Sequence, residues 1–105
     1  MKYYKLVRDK IPEIIRAQGK ICISEVLEEE QYLAMLDAKL TEELAEYHGD
    51  GNVEELADLL EVIYAAAAAR GCSREELESV RREKAEKRGG FDRRILLLEV
   101  RDPEE

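Results

Sequence analysis

The central part of the chain repeats apolar residues with the period of an α-helix. From Glu28 to about Tyr47 they recur every three or four positions, which places them on one side of a long helix: Leu33, Leu36, Leu40, Leu44 and Tyr47. The sequence Gly49-Asp50-Gly51 follows directly and favours a helix end with a tight turn. We therefore predict one long amphipathic helix that stops at this turn.

A second central helix is predicted directly after the turn. Asn52 and Glu55 have the spacing of a capping box, in which the N-cap side chain accepts a hydrogen bond from a backbone amide three residues later. One apolar stripe follows, formed by Leu56, Leu60, Ile63 and Ala67, and Gly71 is typical of the residue just past a helix end. Two helices joined in this way predict an antiparallel hairpin.

A shorter helix is predicted near the N-terminus. Asp9 can act as its N-cap, and Pro12 is tolerated in its first turn. Three isoleucines are expected to point inward before Gly19 ends the helix: Ile11, Ile14 and Ile15.

A fourth helix is predicted near the C-terminus. Ser73 and Glu76 repeat the capping spacing, and the helix runs to roughly Lys87 before the sequence Gly89-Gly90. The expected fold class is therefore all-α, an antiparallel bundle of about four helices that forms a single domain over residues 1–105.

Two segments outside the helices have the pattern of extended chain. Residues 20–27 place Ile21, Ile23 and Val26 among polar neighbours in near alternation, and residues 94–100 contain a compact apolar run. A short β-pair formed by these two segments at the edge of the bundle is one possible arrangement.

Composition and charge narrow the class of protein. The chain has 105 residues, of which 45% are hydrophobic and 40% charged, as in globular helical proteins. Its net charge of −8 argues against nucleic-acid binding, which needs a basic surface. No signal peptide and no apolar stretch of about 18 residues is visible. Cys22 and Cys72 lack metal-binding spacing, so we expect free thiols, a cytoplasmic location and no membrane contact.

Acidic residues are concentrated in the predicted hairpin. Between Thr41 and Ala69 there are eight carboxylates and neither Lys nor Arg. A solvated helix face usually mixes opposite charges, because like charges three or four residues apart repel. A single Glu-x-x-Glu pair is most often only such a solvated face, but the absence of any compensating charge here favours a binding site.

Four of the carboxylates form two matched pairs, Glu43 with Glu46 and Glu55 with Asp58. Each pair has i,i+3 spacing, so both members lie on the same side of their helix, and the tight turn brings the pairs level with each other. Glu55 and Asp58 also align with three apolar residues further along their helix, Val62, Ala65 and Ala69. This alignment predicts that the two carboxylates face packed surface.

Carboxylates that converge in a partly buried site repel strongly unless a cation is present. A hard divalent cation that prefers oxygen ligands is the usual solution, so the pattern predicts Mg²⁺, or Mn²⁺ in its place, on Glu43, Glu46, Glu55 and Asp58. A carboxylate-bridged di-iron bundle would need Glu-x-x-His pairs, whereas His48 stands at the predicted turn outside such spacing.

The two acidic segments, EELAE at residues 42–46 and EELAD at residues 54–58, resemble the EExxE…ExxD signature of the all-α nucleotide pyrophosphohydrolases. This superfamily includes MazG, the dimeric dUTPases and phosphoribosyl-ATP pyrophosphohydrolase. The segments YKLVRDKIP at residues 4–12 and KAEKRGGF at residues 84–91 resemble a small single-domain subgroup described as MazG-like. They differ from true phosphoribosyl-ATP hydrolases, which argues against a role in histidine synthesis.

The resemblance implies hydrolysis of a nucleoside triphosphate, or a related nucleotide, between its α- and β-phosphates. The products would be a monophosphate and pyrophosphate, and the role would be house-cleaning of the nucleotide pool. The implied catalytic residues are the four metal ligands together with Glu42, and either Glu42 or Glu46 could orient the attacking water. Separately, the second central helix is apolar nearly all around and carries an alanine run at residues 65–69, so we expect a homodimer or a homotetramer to cover it.

Phosphate groups near so many carboxylates would need basic side chains as well as a metal. The candidates that the resemblance favours lie in the two terminal segments: Arg8, Lys84, Lys87 and Arg88. A base could stack on one of several aromatic rings: Tyr3, Tyr4, Tyr32, Tyr47, Tyr64 and Phe91. Of these, Tyr47 and Tyr64 lie on predicted core stripes. The alternative function is a non-catalytic helical interaction module whose acidic patch binds a basic partner.

Overall fold

A computed structural model describes residues 4–104 of the chain. Its described residues contain four helices: α1 (Ile11–Ala17), α2 (Glu29–Asp50), α3 (Val53–Ala69) and α4 (Arg74–Arg88). The predicted all-α class is therefore confirmed. The chain divides into two compact units, Met1–Arg74 and Glu75–Glu105. The first unit contains α1, α2 and α3, and the second contains α4 from its second residue onward; a single domain over the whole chain stays a prediction.

The main helix–helix contact of the first unit is between α2 and α3, which form a hairpin. Gly51 follows α2 with a φ of 65°, a left-handed conformation that glycine adopts without strain, and its amide donates to the Tyr47 carbonyl at 2.7 Å. Asn52 then caps α3, because its side-chain oxygen accepts a hydrogen bond from the Glu55 amide at 3.0 Å. The predicted turn and the predicted N-cap are both confirmed.

The far end of α3 is closed as the sequence indicated. Gly71, with a φ of 80°, donates to the Ala68 carbonyl at 3.0 Å, and the Cys72 amide donates to the Ala67 carbonyl at 2.9 Å. This pair of bonds is a Schellman motif, which satisfies carbonyls that the helix leaves without an internal partner. The next helix, α4, begins at Arg74 directly after Ser73 and ends at Arg88 before Gly89, as predicted.

The buried side of α2 matches the predicted stripe except at one residue, because Glu43 packs inward instead of Leu44. Leu36 is 3% exposed and Glu43 is 7% exposed, whereas Leu44, which was expected to pack inward, is 44% exposed. Glu43 thus takes the inward position seven residues after Leu36, which lies on the same side of the helix. A carboxylate is rarely buried without a partner, so the inward position of Glu43 is unusual for a residue of this type.

The packed face of α3 is not the predicted one. Leu56, Leu60 and Ile63 are 43%, 44% and 37% exposed, while Leu59 and Val62 are half-buried. Because α3 is apolar around most of its circumference, the helical period alone does not decide which face packs. The prediction that Leu56, Leu60 and Ile63 form the inner stripe is therefore wrong.

Helix α1 starts later than predicted. Its N-cap is Lys10, which makes no capping hydrogen bond through its side chain, so the assignment of this role to Asp9 is wrong. Pro12 does lie in the first turn, where its missing amide hydrogen costs no hydrogen bond. Ile14 is 48% exposed and does not point inward as expected, whereas Ile11 and Ile15 are half-buried.

The predicted β-pair is absent from the described residues, since neither 20–27 nor 94–100 forms a strand. Ile21, Ile23 and Val26 are 92%, 94% and 100% exposed, so no neighbouring surface holds that segment in a sheet. An isolated pair of strands is marginally stable in water, which is the physical reason that alternation alone is a weak signal here. None of the helices within residues 4–104 has the length and apolar character needed to cross a membrane.

Candidate metal centre in the α2–α3 hairpin

The hairpin brings three of the four predicted ligands together. Glu43 near the end of α2 and Glu55 and Asp58 at the start of α3 each offer a carboxylate oxygen, and these oxygens all lie within 4.8 Å of one another. Glu43 is buried, and the other two residues are half-buried. We call these residues the carboxylate cluster. The prediction that the acids of α3 face packed surface holds only in part, because the Asp58 side chain is still 42% exposed.

Two oxygens of the cluster are buried without a hydrogen-bond partner. They are Oε2 of Glu43 and Oε2 of Glu55. A buried polar atom that has lost water and gained no partner is destabilising, and a carboxylate more so than a neutral group. A divalent cation would give both oxygens a partner, so the residues present fit such an ion.

The protonation of Glu55 reflects the same crowding. Burial raises its pKa from 4.5 to about 7, and a hydrogen bond to the Asp50 side chain contributes in the same direction. Repulsion from Glu46, Asp50 and Asp58 adds to the effect. The folded protein without metal therefore binds a proton on Glu55 close to neutral pH, and a cation bound there would displace that proton.

Glu46, the fourth predicted ligand, is exposed and lies outside the cluster. It is still near enough to raise the pKa of Glu55 through repulsion. Asp50, the last residue of α2, was not predicted as a site residue, yet it interacts with Glu55 in the same way. Its only signal in the sequence was its position at the helix end beside the turn, where it lies close to the first turn of α3.

Lys39 is a site residue that the sequence did not reveal. Its ammonium lies 3.3 Å from Oε1 of Glu43 and 3.4 Å from Oε2 of Glu42, and only 17% of its side chain is exposed. Spacings of three and four residues along α2 explain both contacts and were the available signal. Lys39 therefore holds one oxygen of Glu43, while the other, Oε2, has no hydrogen-bond partner.

The segment before α1 supplies further positive charge. The Arg8 guanidinium donates from Nη2 to Oδ1 of Asp58 at 2.7 Å, and the Lys5 ammonium lies 3.6 Å from Oε1 of Glu42. Arg8 was predicted to bind substrate phosphate. In this structure it is paired with one of the predicted metal ligands.

The other predicted phosphate-binding residues belong to the second unit. Lys84, Lys87 and Arg88 line a shallow groove on α4 together with Val80 and Glu83. The Lys87 ammonium also pairs with Oε1 of Glu83 at 3.1 Å. Their role with phosphate stays a prediction.

The aromatic residues that could stack on a base differ in exposure within residues 4–104, and their role stays a prediction. Tyr4 and Phe91 are 88% and 96% exposed, and Tyr3 lies outside the described residues. Tyr47 and Tyr64 are half-buried packing residues, and the Arg74 guanidinium stacks over the Tyr64 ring at 4.4 Å from its centroid.

Comparison with known proteins adds one partial match. A stretch of 42 residues is 55% identical to part of an uncharacterized protein of Mycolicibacterium smegmatis and covers 40% of this chain. The same stretch covers 43% of that relative, so the match spans less than half of its length. No family model matches the chain, and no solved structure matches it either. Inferences about function therefore depend on the geometry of the hairpin.

Proposed function

We propose that this chain is a Mg²⁺-dependent nucleotide pyrophosphohydrolase, which cleaves a nucleoside triphosphate or a related nucleotide into a monophosphate and pyrophosphate. The observation that carries the proposal is the carboxylate cluster with its two buried, unpartnered oxygens. A solvated acidic face has no reason to bury Glu43 to 7% exposure. The resemblance to the EExxE…ExxD signature suggests the reaction, hydrolysis of a nucleotide between its α- and β-phosphates.

The residues that would hold the metal are Glu43, Glu55 and Asp58, with Glu46 at the edge of the site. All offer carboxylate oxygens, which Mg²⁺ and Mn²⁺ prefer over softer ligands. When bound, the ion would supply Lewis-acid activation of water and of the phosphate oxygens. Lys39 fixes one oxygen of Glu43 through its ammonium, which leaves Oε2 available as the ligand atom.

Proton transfer and phosphate binding fall to other residues of the chain. Glu42 and Glu46 lie next to the cluster without belonging to it, so either can accept the proton of an attacking water. Arg and Lys side chains match the charge of phosphate oxygens, and Arg can bind two oxygens at once. We assign this role to the four basic residues that the sequence predicted: Arg8, Lys84, Lys87 and Arg88. Such an enzyme would act in the cytoplasm, where nucleotides are made.

We further propose that the chain works as a homodimer or homotetramer. Leu36 is the only apolar residue that is buried among residues 4–104, which is a small core for a folded unit. Meanwhile Leu56, Leu60 and Ile63 present an exposed apolar face along α3. Covering this face with a second copy would remove apolar surface from water.

The first experiment measures pyrophosphate release from a panel of ordinary and modified nucleoside triphosphates with Mg²⁺, with Mn²⁺ and with EDTA. We expect metal-dependent release that is lost in Glu55→Gln, because this change removes a carboxylate ligand while keeping the size of the side chain. Glu54→Gln is the matched control, since Glu54 is the exposed neighbour outside the cluster.

No release from any nucleotide by a folded, metal-binding protein would contradict the proposal. That result would favour the interaction module, which the net charge of −8 would suit through a basic partner.

A further inference from the structure

Arg8 makes the closest contact of any basic side chain with the carboxylate cluster among the described residues. Its Nη2 lies 2.7 Å from Oδ1 of Asp58, within the range of a strong charge-assisted hydrogen bond. The two side chains are 58% and 42% exposed, so solvent can reach the pair. The contact joins residues that are 50 positions apart in the sequence. Local helix spacing therefore does not explain it.

The guanidinium supplies positive charge where a metal ion would supply it. Three carboxylates converge here, and one oxygen of Asp58 is already engaged by Arg8. A divalent cation that entered would face repulsion from this charge at short range and would have to take the same carboxylate. Arg8 therefore holds a positive charge 2.7 Å from a carboxylate that the metal needs, and this charge opposes the entry of a cation.

The other two basic side chains near the site lie farther from the carboxylates that they contact, Lys39 at 3.3 Å and Lys5 at 3.6 Å. Lys39 contacts Oε1 of Glu43, while Oε2 of that residue has no partner. Lys5 contacts Glu42, which is outside the cluster. Arg8 is also the member that can leave, because it precedes α1 on a non-helical segment and its side chain is more than half exposed.

We propose that Arg8 neutralises Asp58 in the metal-free protein, is displaced when a divalent cation binds, and then contacts the phosphate oxygens of the nucleotide. This inference rests on the proposed function, which supplies the metal site. It makes metal binding and polyphosphate binding cooperative, because the cation releases the side chain that the phosphates need. By linkage, polyphosphate then raises the affinity for metal by the same factor.

The test titrates Mn²⁺ into the protein without any nucleotide. Binding is measured by calorimetry and by the electron paramagnetic resonance signal of the free ion. We expect Arg8→Gln to bind Mn²⁺ about three- to tenfold more tightly than the unmodified protein, because a competing charge is gone. Arg8→Met, which keeps the apolar stem of the side chain, should behave alike and guards against a folding defect of one variant.

Arg74→Gln is the matched control. Arg74 forms an ion pair with Glu61, which lies on helix α3 like Asp58, and the two side chains are 63% and 41% exposed. Glu61 is outside the cluster. Its removal should change Mn²⁺ affinity less than twofold. An equal gain in Arg74→Gln would mean that net charge alone acts, and this would overturn a specific role for Arg8.

The second arm titrates inorganic tripolyphosphate at saturating Mn²⁺. Here Arg8→Gln should bind about tenfold more weakly, opposite in sign to its effect on the metal. Unchanged tripolyphosphate affinity would overturn the proposed transfer of Arg8 to phosphate.

The outcomes separate this inference from the proposed function. If the unmodified protein binds no Mn²⁺, or if Glu43→Gln binds it equally well, the cluster is not a metal site and both proposals fail. If the unmodified protein binds Mn²⁺ through Glu43 but the Arg8 variants bind it no more tightly, only the role of Arg8 is overturned.

Discussion

Helix α3 combines half-buried carboxylates on one face with exposed apolar residues on another. Glu55 and Asp58 converge with Glu43 of α2, whereas Leu56, Leu60 and Ile63 are exposed, and we call these the inward and the outward face. Leu59 and Val62 are half-buried, as in an ordinary globular helix. Stability alone would place leucines inside and carboxylates in water. Under the proposed function, a divalent cation would account for the carboxylates of the inward face, and a second copy of the chain would account for the apolar outward face.

The largest effect is expected from removing the buried acid of the inward face. Glu43→Leu should lower pyrophosphate release by about 10³-fold or more, since it deletes a metal ligand. The same change should stabilise the metal-free protein by about 1 kcal/mol, because it replaces a buried carboxylate that has one unpartnered oxygen with an apolar group, while Lys39 keeps its ion pair with Glu42. Hydrolysis rates and urea unfolding in EDTA measure the two effects.

Opposite signs for activity and stability are the signature of a site that is held against its own repulsion. Glu54→Leu is the control, because Glu54 is exposed and lies outside the cluster. A Glu43→Leu protein that is less stable than the unmodified chain in EDTA would mean that Glu43 serves the fold, and the contrast between the two faces would collapse.

The outward face is tested by Leu60→Glu. A charge placed on this exposed apolar surface should dissociate the oligomer, with a rise in the dissociation constant of about 100-fold, because a carboxylate cannot be buried there without a partner. Sedimentation at several protein concentrations measures the assembly. Val80→Glu, at a 50% exposed apolar position on α4, is the control and should leave assembly unchanged. A chain that sediments as a monomer before any substitution would remove the proposed reason for the exposed leucines.

The pH dependence of stability sharpens the description of the inward face. The pKa of Glu55 is raised to about 7, and burial is the largest cause, so the folded protein favours the protonated form. Its contribution to stability is therefore fully present below about pH 4.5 and is lost as the pH rises through about 7. In EDTA, Glu55→Gln should melt at a higher temperature than the unmodified protein at pH 8, and the difference should vanish near pH 4.

Saturating Mg²⁺ should reverse this difference at pH 8, because only the unmodified protein keeps the full ligand set and gains stability from the bound ion. Identical melting curves for the two proteins across this pH range would show that Glu55 is not under electrostatic strain.

The contrast between the faces also explains how far the sequence alone could lead. The turn at Gly51, the cap at Asn52 and the ends of α3 and α4 were predictable, since each depends on local chemistry that one or two residues carry. The approach of Glu43 to Glu55 and Asp58 was predictable as well, because the tight turn brings the end of α2 level with the start of α3. The i,i+3 spacing also predicted Glu46 as a ligand, yet this residue lies outside the cluster.

Other features were not visible because they depend on which surfaces meet in space. A helix that is apolar nearly all around does not indicate its packed side, so Leu60 was placed inward although it is 44% exposed. The pairing of Arg8 with Asp58 across 50 residues has no periodic signal at all. Lys39 had a signal in its spacing from Glu43, but that spacing is equally common on solvated helices.

The smallest effect is expected at the turn that aligns both faces. Asn52→Ala removes the side-chain acceptor of the Glu55 amide and should cost about 1 kcal/mol of stability, as for other N-caps. Asn52→Asp keeps an acceptor and should restore most of that loss, although it adds a negative charge close to the cluster. Thermal unfolding with and without Mg²⁺ measures both variants. If Asn52→Ala also weakens metal binding severalfold, the cap positions Glu55 for the ion; if metal affinity is unchanged, packing between α2 and α3 alone holds the cluster together.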